Sequence, residues 1–331
     1  MTYYIENLNT DPRFNLALEQ FVFDSLDRDA DYLLLWQNDN SIIIGKNQNT
    51  SEEINASFVK AHNISVVRRL SGGGAVYHDL GNLNFTFITD ANKNDVNNFS
   101  YFCEPIQNAL VSFGVPVVFS GRNDMTVEGK KISGNAQYIK NGRIMHHGTL
   151  LYDSNLDMLS SALNVIDDKI ESKGIKSVKS RVANIRPFMK NDMPMKDFWS
   201  ALKEHLSALL KTENYFLSDT DQTEIEKLKD NVYSQWSWNY GASPPYNVKK
   251  TRRIENCGKI EILLDVEKEG VIKNICFFGD FFGTNDIEEL AAMLKGRRLE
   301  YKELSSILKK IEINSYFHNI DTETFLSLLL E

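Results

Sequence analysis

The sequence has little cysteine and no long apolar run, and each of these shortages excludes a class of protein. Its three cysteines, Cys103, Cys257 and Cys276, lie far apart among 331 residues. An odd number of widely spaced cysteines predicts neither a disulfide framework nor a zinc site, and it favours a reducing compartment. No stretch approaches the roughly 20 apolar residues that span a bilayer, and the first residues lack the pattern of a signal peptide. We therefore expect a cytoplasmic protein with no membrane partner.

Positive charge is also scarce, because 37 basic residues stand against 45 acidic ones and the formal net charge is −8. Proteins that bind nucleic acids in general usually carry a basic excess. We therefore expect no nucleic-acid partner, and any basic site has to be local. The apolar content of 42% is ordinary for a globular protein, and the length suggests about two domains.

The spacing of apolar residues predicts an α+β fold. Helical periodicity marks residues 12–26, 99–113, 156–164, 197–210 and 223–233. Short apolar runs mark strands at residues 32–37, 41–44, 65–69, 83–88 and 116–119. Glu128-Gly129 and Asn141-Gly142 separate further alternating runs, which is the pattern of β-hairpins. We expect a mixed, largely antiparallel sheet flanked by helices.

The proline pair Pro244-Pro245 predicts a domain boundary, since it ends a turn-rich segment and cannot continue a helix. We expect one domain over residues 1–246 and a small α+β domain over residues 247–331. The second has a hairpin pattern followed by amphipathic helices near 287–294 and 302–311. The prolines are also candidates for a hinge between the two domains.

The run Arg68-Arg69-Leu70-Ser71-Gly72-Gly73-Gly74 joins two guanidinium groups to three consecutive glycines. Glycine lets backbone N–H groups approach an anion without a Cβ in the way, and arginine adds forked donors that fit phosphate or carboxylate. The spacing matches neither a Rossmann fingerprint nor a Walker loop. The run therefore predicts an anion site, and the alternative is a tight connection between two strands with solvated arginines.

A second polar group contains Asn123, Asp124 and Lys131. Lys131 stands near two glycines and is suited to hold a phosphate or carboxylate, and Asn123 and Asp124 offer oxygen ligands for magnesium. The alternative is that Lys130 and Lys131 belong to a solvated hairpin arm.

His146 and His147 follow on a predicted strand. Their side chains therefore point to opposite faces, and at most one of them faces a given site. Since no other metal ligand is close in sequence, the pair favours hydrogen bonding over zinc.

Five motifs occur in a fixed order along the chain: Arg-Arg-x-Ser-Gly-Gly-Gly-Ala-Val-Tyr-His-Asp from Arg68, Gly-Arg-Asn-Asp from Gly121, Lys-Ile-Ser-Gly-Asn-Ala from Lys131, His-His-Gly-Thr-Leu from His146 and Lys-Gly-Ile-Lys-Ser-Val-Lys-Ser-Arg-Val from Lys173. Together they resemble the lipoate-protein ligases, with a match that runs from about residue 9 to residue 187. The resemblance implies a fold of the class II synthetase and biotin ligase type with a small C-terminal accessory domain.

The resemblance also implies an activity in two steps. Lipoate and ATP give lipoyl-adenylate and pyrophosphate, with Mg²⁺ as cofactor, and a lysine amine of a lipoyl domain then takes the lipoyl group. The implied acceptors are the E2 subunits of 2-oxoacid dehydrogenases and the H protein of glycine cleavage.

The same resemblance assigns residues to roles. Lys131 is the implied catalytic residue, in contact with both ATP and lipoate. The implied nucleotide contacts are Arg69, Gly74, Ala75, Val76 and Tyr77. The implied lipoyl pocket contains Trp36, Ser71, Gly73, His78 and His147, although a strand tryptophan is also typical of plain core. The implied magnesium ligand is Asp124, with Asn123 beside it. The basic segment 172–189 is the implied adenylate-binding loop, and its alternative is a solvated connection.

Three other interpretations remain open at this point. An octanoyltransferase or lipoyl amidotransferase shares the fold and passes the acyl group through a cysteine thioester without ATP. Cysteine placement disfavours it, because Cys103 falls on a predicted helix and no further cysteine precedes Cys257. A lipoyltransferase that uses preformed lipoyl-adenylate is a milder variant. A non-catalytic lipoate sensor is a candidate from a different class, whereas the spelling of the glycine run disfavours biotin ligase.

Overall fold

The structure is a computed structural model that describes residues 1–90, 97–121, 123–164, 181–241, 246–267 and 270–330. The chain folds as two compact units. The first contains Met1–Ile44, Thr50–Leu70 and Ala75–Asn239, and the second contains Gly45–Asn49, Ser71–Gly74 and Tyr240–Glu331. Outside the described residues lie Arg122, Pro244, Pro245 and residues 172–180. The expectations placed on them, a hinge and a basic adenylate-binding loop, stay predictions.

The described residues form these strands: β1 (Thr2–Glu6), β2 (Asp31–Trp36), β3 (Ser41–Ile44), β4 (Ser65–Arg68), β5 (Val76–His78), β6 (Asn82–Asp90), β7 (Val118–Ser120), β8 (Asp124–Val127), β9 (Lys130–Lys140), β10 (Arg143–Leu151), β11 (Glu213–Tyr215), β12 (Val248–Ile254), β13 (Gly258–Val266) and β14 (Ile272–Gly279). They also form these α-helices: α1 (Pro12–Ser25), α2 (Thr50–Glu53), α3 (Ala56–Ala61), α4 (Phe99–Ser112), α5 (Leu156–Ala162), α6 (Met195–Leu210), α7 (Asp219–Leu228), α8 (Trp236–Asn239), α9 (Ile287–Leu294), α10 (Tyr301–Leu308), α11 (Ile313–Tyr316) and α12 (Thr322–Leu330).

Eight of the described strands form the central sheet of the first unit, in the order β11-β1-β2-β6-β10-β9-β8-β7. The strands β11, β1 and β2 run parallel, and the other neighbours are antiparallel. A smaller sheet has the order β4-β3-β5. The predicted α+β class with a largely antiparallel sheet is confirmed.

The two faces of the central sheet pack against different helices, because successive side chains of a strand point to opposite sides. Leu34 and Trp36 of β2 join a buried cluster with Leu18 of α1. Leu33 and Leu35 join another cluster, which contains buried side chains of α4 and α6. The sheet therefore has an α1 face and an α4 face.

Both predicted hairpins are confirmed. β8 pairs with β9 and β9 pairs with β10, all antiparallel. The turn residues Glu128 (φ 52°), Gly129 (φ 75°), Asn141 (φ 52°) and Gly142 (φ 73°) all have positive φ. Two residues with positive φ form a turn whose twist matches the flanking strands.

The strands on either side of Asn38-Asp39-Asn40 do not pair with each other. β2 enters the central sheet, whereas β3 enters the small one. The strands β1, β5, β11 and β12 were not predicted. The sequence does not predict β12, because four of its seven residues are basic and the apolar alternation of a strand is therefore not visible.

The second unit contains an antiparallel sheet of β12, β13 and β14. Its core includes Ile260 and Ile262 of β13 and Phe277 of β14, packed with buried side chains of α9, α10 and α12. The predicted hairpin and both predicted helices are present. In the part of the chain that the structure describes, no helix has the length and apolarity needed to cross a membrane.

Candidate active site

A row of side chains crosses the α1 face of the central sheet. Trp36 lies opposite Asn84, and Asn84 lies opposite Thr149. The backbone N–H of Gly134 donates to Thr149 Oγ1 at 3.1 Å, and Gly134 lies opposite Asp124. Since directly opposite residues share a face of the sheet, this register aligns groups from β2, β6, β10, β9 and β8. The sheet therefore brings Trp36 and Asp124, far apart in sequence, onto one surface.

A buried carboxylate lies on this face near Trp36. Glu19 of α1 is 1% exposed and accepts hydrogen bonds from Thr86 Oγ1 at 2.5 Å and from His147 Nδ1 at 3.0 Å. Thr86 Oγ1 in turn accepts from Trp36 Nε1 at 2.9 Å. The indole, the hydroxyl and the imidazole are therefore held in fixed orientations by one carboxylate.

His78 lies beside Trp36, with ring centroids 6.4 Å apart, and is buried. Its Nδ1 faces Asn38 Nδ2 at 3.1 Å, and Asn38 Oδ1 is occupied because it accepts from Asn15 Nδ2 at 2.9 Å. Nδ1 is thus the acceptor, and Nε2 carries the proton. Among the described protein atoms, that buried Nε2 has no hydrogen-bond partner. A ligand that accepts a hydrogen bond here would satisfy it.

We expect the imidazole of His78 to make the protein sensitive to mild acid. Burial lowers the pKa of His78 to about 3, and the charges of Arg69 and His147 lower it further. Because an unfolded histidine titrates near 6.5, this group stabilises the fold fully above pH 6.5 and progressively less as the pH falls toward 3. The free energy of unfolding should drop by about 2 kcal/mol from pH 7 to pH 5 on its account. Urea denaturation at both pH values measures this. The pH-dependent loss should be smaller by that amount in His78→Gln, and an equal loss in the two proteins would contradict the assignment.

Lys131 stands at the other end of the row. Its Nζ lies 2.8 Å from Asp124 Oδ1, and both side chains are about one-third exposed, 35% and 36%. Lys130, the preceding residue, is exposed. The solvated-arm interpretation therefore fits Lys130 and does not fit Lys131, whose ammonium is held over the sheet.

We expect Gly134→Ala to impair Lys131 without removing it. A Cβ at Gly134 would come within 2.7 Å of Lys131 Nζ and 2.8 Å of its Cε. The flexible side-chain end has to move, so the expected loss of activity is about tenfold to a hundredfold, with an unfolding free energy within about 1 kcal/mol of the parent protein. Pyrophosphate exchange, the readout of the adenylation step that the sequence motifs imply, and urea denaturation measure the two quantities. Lys130→Ala is the control, since Gly129→Ala would strain a residue with positive φ. An equal loss of activity in Gly134→Ala and Lys130→Ala would contradict the contact.

Asn123 and Asp124 differ in what they offer a cation. Asn123 Nδ2 donates to the Asn135 carbonyl at 2.5 Å, and Asn135 Nδ2 donates back to the Asn123 carbonyl at 3.0 Å. The amide nitrogen of Asn123 therefore braces β9, which leaves its Oδ1 for a ligand. The carboxylate of Asp124 and this amide oxygen are hard donors that fit Mg²⁺ when substrate oxygens complete the shell. Within the described ranges, no group of three His, Cys, Asp or Glu side chains could hold a metal ion by itself.

Arg69 and Tyr77 are buried. Arg69 Nη1 donates to the Ile43 carbonyl at 3.2 Å. Burial lowers the pKa of Arg69 to about 10, although the negative charge of Glu19 raises it in part. The group stays cationic at neutral pH. Tyr77 donates from its hydroxyl to Asn40 Oδ1 at 3.1 Å. Its hydroxyl is thus engaged within the protein.

The residues Ser71–Gly74 belong to the second unit. Ser71 is buried, and its carbonyl accepts from the Lys46 N–H at 2.8 Å. Gly73 has φ 88°, a conformation that favours glycine. A Cβ at Gly74 would meet no described protein atom within 4 Å, so protein packing does not demand a glycine there.

Sequence reasoning missed Glu19, Thr86 and Asn38. One signal was available, since Asn15 and Glu19 stand four residues apart within the otherwise apolar buried face of α1. The sequence interpretation of Arg68 as an anion-binding guanidinium is corrected by its bonds to backbone carbonyls, at 2.9 Å to Trp238 and 3.2 Å to Asn239.

Residues 11–207 match the model of the lipoyl protein ligase A/B catalytic domain, and residues 243–329 match that of the bacterial lipoate protein ligase C-terminus. The first match alone covers more than half of the chain. The chain belongs to the lipoate-protein ligase family. A relative in this family, lipoate-protein ligase LplJ of Bacillus subtilis, is 47% identical over 330 residues, with 98% of this chain and 99% of that protein covered.

Solved structures of lipoate-protein ligases are also similar. The crystal structure of P. falciparum LipL1 in complex with lipoate has a TM-score of 0.81 and 27% identity, and covers 100% of this chain and 98% of that one. A bi-partite ligase from Thermoplasma acidophilum, reported with its E2 lipoyl domain, gives 0.66 and 30%, covering 75% and 99%. A lipoate-protein ligase A bound with ATP gives 0.63 and 28%, covering 72% and 98%.

Proposed function

We propose that this chain activates lipoate with ATP and transfers the lipoyl group to a lysine of a lipoyl domain. The observation that carries the proposal is the row on the α1 face. It joins an ammonium and carboxylate pair, Lys131 and Asp124, to the buried, hydrogen-bonded group of Trp36, Thr86 and Glu19. An acyl acid with an apolar body and a charged head matches a surface of this kind.

Lys131 is the residue we assign to the chemistry. In the first step, a lipoate carboxylate oxygen attacks the α-phosphorus of ATP and pyrophosphate leaves. Both reactants are anionic, so a fixed cation offsets their repulsion and stabilises the charge that develops. In the second step, the acceptor amine attacks the acyl carbon, AMP leaves, and the amine loses a proton.

Nucleotide contacts are assigned to Arg69 and to the backbone of Gly74, Ala75, Val76 and Tyr77. Arg69 supplies a buried positive charge at the end of β4. Gly74 leaves room beside the main chain, and backbone N–H groups are suited to phosphate oxygens.

The lipoyl chain is assigned to Trp36, His78 and His147, with Ser71 and Gly73 shaping the glycine run. Trp36 supplies an apolar wall whose indole N–H is already bonded. His78 is neutral and presents its Nε2–H. The apolar body and single donor fit an uncharged chain that ends in a polarisable group.

The magnesium site is assigned to Asp124, with Asn123 contributing its Oδ1. Mg²⁺ bound there would neutralise phosphate charge and hold the nucleotide oxygens in place. Asp124 would exchange its Lys131 partner for the ion, which frees the ammonium for substrate.

The proposed acceptors are lipoyl domains of 2-oxoacid dehydrogenase E2 subunits and of the glycine cleavage H protein. The Thermoplasma ligase reported with an E2 lipoyl domain supports this class of partner. We propose a catalytic domain over residues 1–246 and an accessory domain over residues 247–331. The cytoplasmic location stays a prediction from the sequence.

Lipoate-dependent exchange between ATP and pyrophosphate tests the activating step. The assay uses the full chain with Mg²⁺, radiolabelled pyrophosphate and no acceptor. Label should enter ATP only when lipoate is present. No exchange, combined with transfer from synthetic lipoyl-adenylate, would leave only the transferase, and neither reaction would indicate a lipoate sensor.

We expect Cys103→Ser to keep its activity, which separates the ligase from the cysteine-dependent transferase. Cys103 is fully buried among residues on the α4 face, and burial raises the pKa of its thiol to about 12. His146 cannot act as a base for this thiol. Gln137 Nε2 donates to His146 Nδ1 at 3.2 Å, so the proton of the imidazole is on His146 Nε2, which lies 3.9 Å from Cys103 Sγ. Exchange and transfer should stay within about twofold of the parent protein. Loss of all transfer in a folded variant would restore the transferase interpretation.

A further inference from the structure

The guanidinium of Arg68 is used within the protein. The residue is 8% exposed. Its Nε donates to the Trp238 carbonyl at 2.9 Å, and its Nη2 donates to Thr50 Oγ1 at 2.6 Å and to the Asn239 carbonyl at 3.2 Å. Thr50 Oγ1 donates to the same Asn239 carbonyl at 2.6 Å. A planar fork of donors is required to reach these three oxygens at once.

Asn239 completes the arrangement from the opposite side. Its Oδ1 accepts from the Arg68 backbone N–H at 2.9 Å, and its Nδ2 donates to the carbonyls of Tyr233 at 2.7 Å and Gln235 at 3.0 Å. Trp238 Nε1 donates to the Arg68 carbonyl at 2.8 Å. We call Arg68, Thr50, Trp238 and Asn239 the Arg68 network. Both the side chain and the backbone of Arg68 are fastened by it.

The network lies where the chain leaves the first unit. The chain passes between the units after residues 44, 49, 70, 74 and 239. Thr50 and Asn239 begin or end a first-unit segment and belong to the network. Arg69 precedes the last residue of another such segment, and its N–H donates to the Ile44 carbonyl at 2.9 Å. At three of these five passages the first-unit residue, Ile44, Thr50 or Asn239, is held by the Arg68 network or by the Arg69 N–H, and at a fourth the first-unit residue is Leu70, the neighbour of Arg69.

We propose that Arg68 and Asn239 are positioning residues for nucleotide binding. They hold the end of β4 rigid, so that Arg69 adopts its binding geometry before ATP arrives. This inference rests on the proposed function, because it concerns the nucleotide contacts assigned there. Rigid placement of binding groups raises affinity, since the cost of ordering them is met during folding. Arg68 thus acts through its forked hydrogen bonds and not as a charge on phosphate.

The test combines two substitutions with two readouts that do not require turnover. Asn239→Ala removes the acceptor for the Arg68 N–H, and Arg68→Lys keeps the charge while it removes the fork. Both should weaken ATP binding by about tenfold in calorimetry, because each variant loses a hydrogen bond of the network and the net value of one such bond is of that order. Hydrogen exchange at the Arg69 amide should accelerate by about tenfold, although its acceptor on Ile44 is untouched by either substitution. The affinity for lipoate should stay within about twofold of the parent protein.

Asn247→Ala is the matched control. Asn247 also donates from Nδ2 to a carbonyl, that of Val266 at 2.7 Å, and accepts from the Val266 N–H at 2.9 Å. It should change neither the ATP affinity nor the Arg69 amide.

The possible outcomes separate the positioning role of Arg68 from a simple charge, from a purely structural role and from a failure of the proposed function. If Arg68→Lys binds ATP like the parent protein, Arg68 is a simple charge and the positioning role is wrong. If ATP and lipoate affinity fall together with the folded fraction, the role is only structural and the inference is also overturned. If the parent protein binds ATP without lipoate-dependent pyrophosphate exchange, the proposed function fails while the positioning role is still decided by the two readouts.

Discussion

Lys131→Ala is expected to lower lipoate-dependent pyrophosphate exchange by about 10²- to 10³-fold, the usual effect of removing one group that stabilises transition-state charge. The fold should be preserved, because the ion pair with Asp124 is partly exposed and pairs of this kind contribute about 0–1 kcal/mol. The assay compares initial exchange rates at saturating ATP and lipoate. The free energy of unfolding is measured in parallel by urea denaturation.

Lys130→Ala is the control for this experiment, since the two lysines are adjacent on β9 and Lys130 is exposed. It should exchange at close to the parental rate. A Lys131→Ala variant with normal exchange would show that the chemistry lies elsewhere, and equal losses in the two variants would indicate a general effect of charge on this hairpin.

Glu19→Ala is expected to have the largest effect on stability. The carboxylate accepts hydrogen bonds from Thr86 and His147. Its charge also stabilises the buried Arg69 guanidinium, because it raises the pKa that burial lowers. Removing it leaves these polar groups unsatisfied next to a buried cation, which typically lowers the free energy of unfolding by about 3–5 kcal/mol. Urea denaturation near neutral pH measures the loss. The affinity for lipoate should fall as well, because Trp36 and His147 lose their common anchor.

Glu19→Gln separates the two contributions of this residue. Glutamine keeps the volume and one hydrogen-bond acceptor but not the charge. We expect a smaller loss of stability in Glu19→Gln than in Glu19→Ala. If alanine were tolerated with little change in unfolding free energy, the carboxylate would not be the centre of this face.

The two ends of the row differ in exposure, which is why we expect Lys131→Ala to affect activity and Glu19→Ala to affect stability. At one end, charges lie near the sheet edge, where Lys131 and Asp124 are one-third exposed. At the other end, Glu19, Thr86 and His147 are buried. The first end is suited to exchange partners during a reaction, and the second is suited to keep one shape.

Local signals in the sequence were sufficient for several elements. Pro12 and the apolar spacing behind it predicted α1, and Asn141-Gly142 predicted a hairpin, because a capping pattern and a positive-φ turn depend on neighbouring residues only. The motifs around Lys131 and His147 also identified the family, which the matched domains confirm. The roles of individual residues within it stay predictions.

Long-range partners were not visible in the same way. Arg68 and Arg69 are adjacent and chemically alike, yet Arg68 donates to the carbonyl of Trp238, 170 residues away. Nothing in the local pattern distinguishes the two. Glu19 likewise gains its partners only because α1 packs on the face that carries Thr86 and His147.

The sequence by itself determined the class of fold, the main hairpins and the family, since these follow from periodicity, turn chemistry and motif order over short stretches. Only the tertiary structure decided that Ser71–Gly74 joins the second unit, that Trp36 and Asp124 share one face of a sheet, and which of two neighbouring arginines donates to the carbonyls of Trp238 and Asn239. The physical reason is that cross-strand register and buried hydrogen bonds depend on contacts between distant segments, and those contacts exist only after the chain has folded.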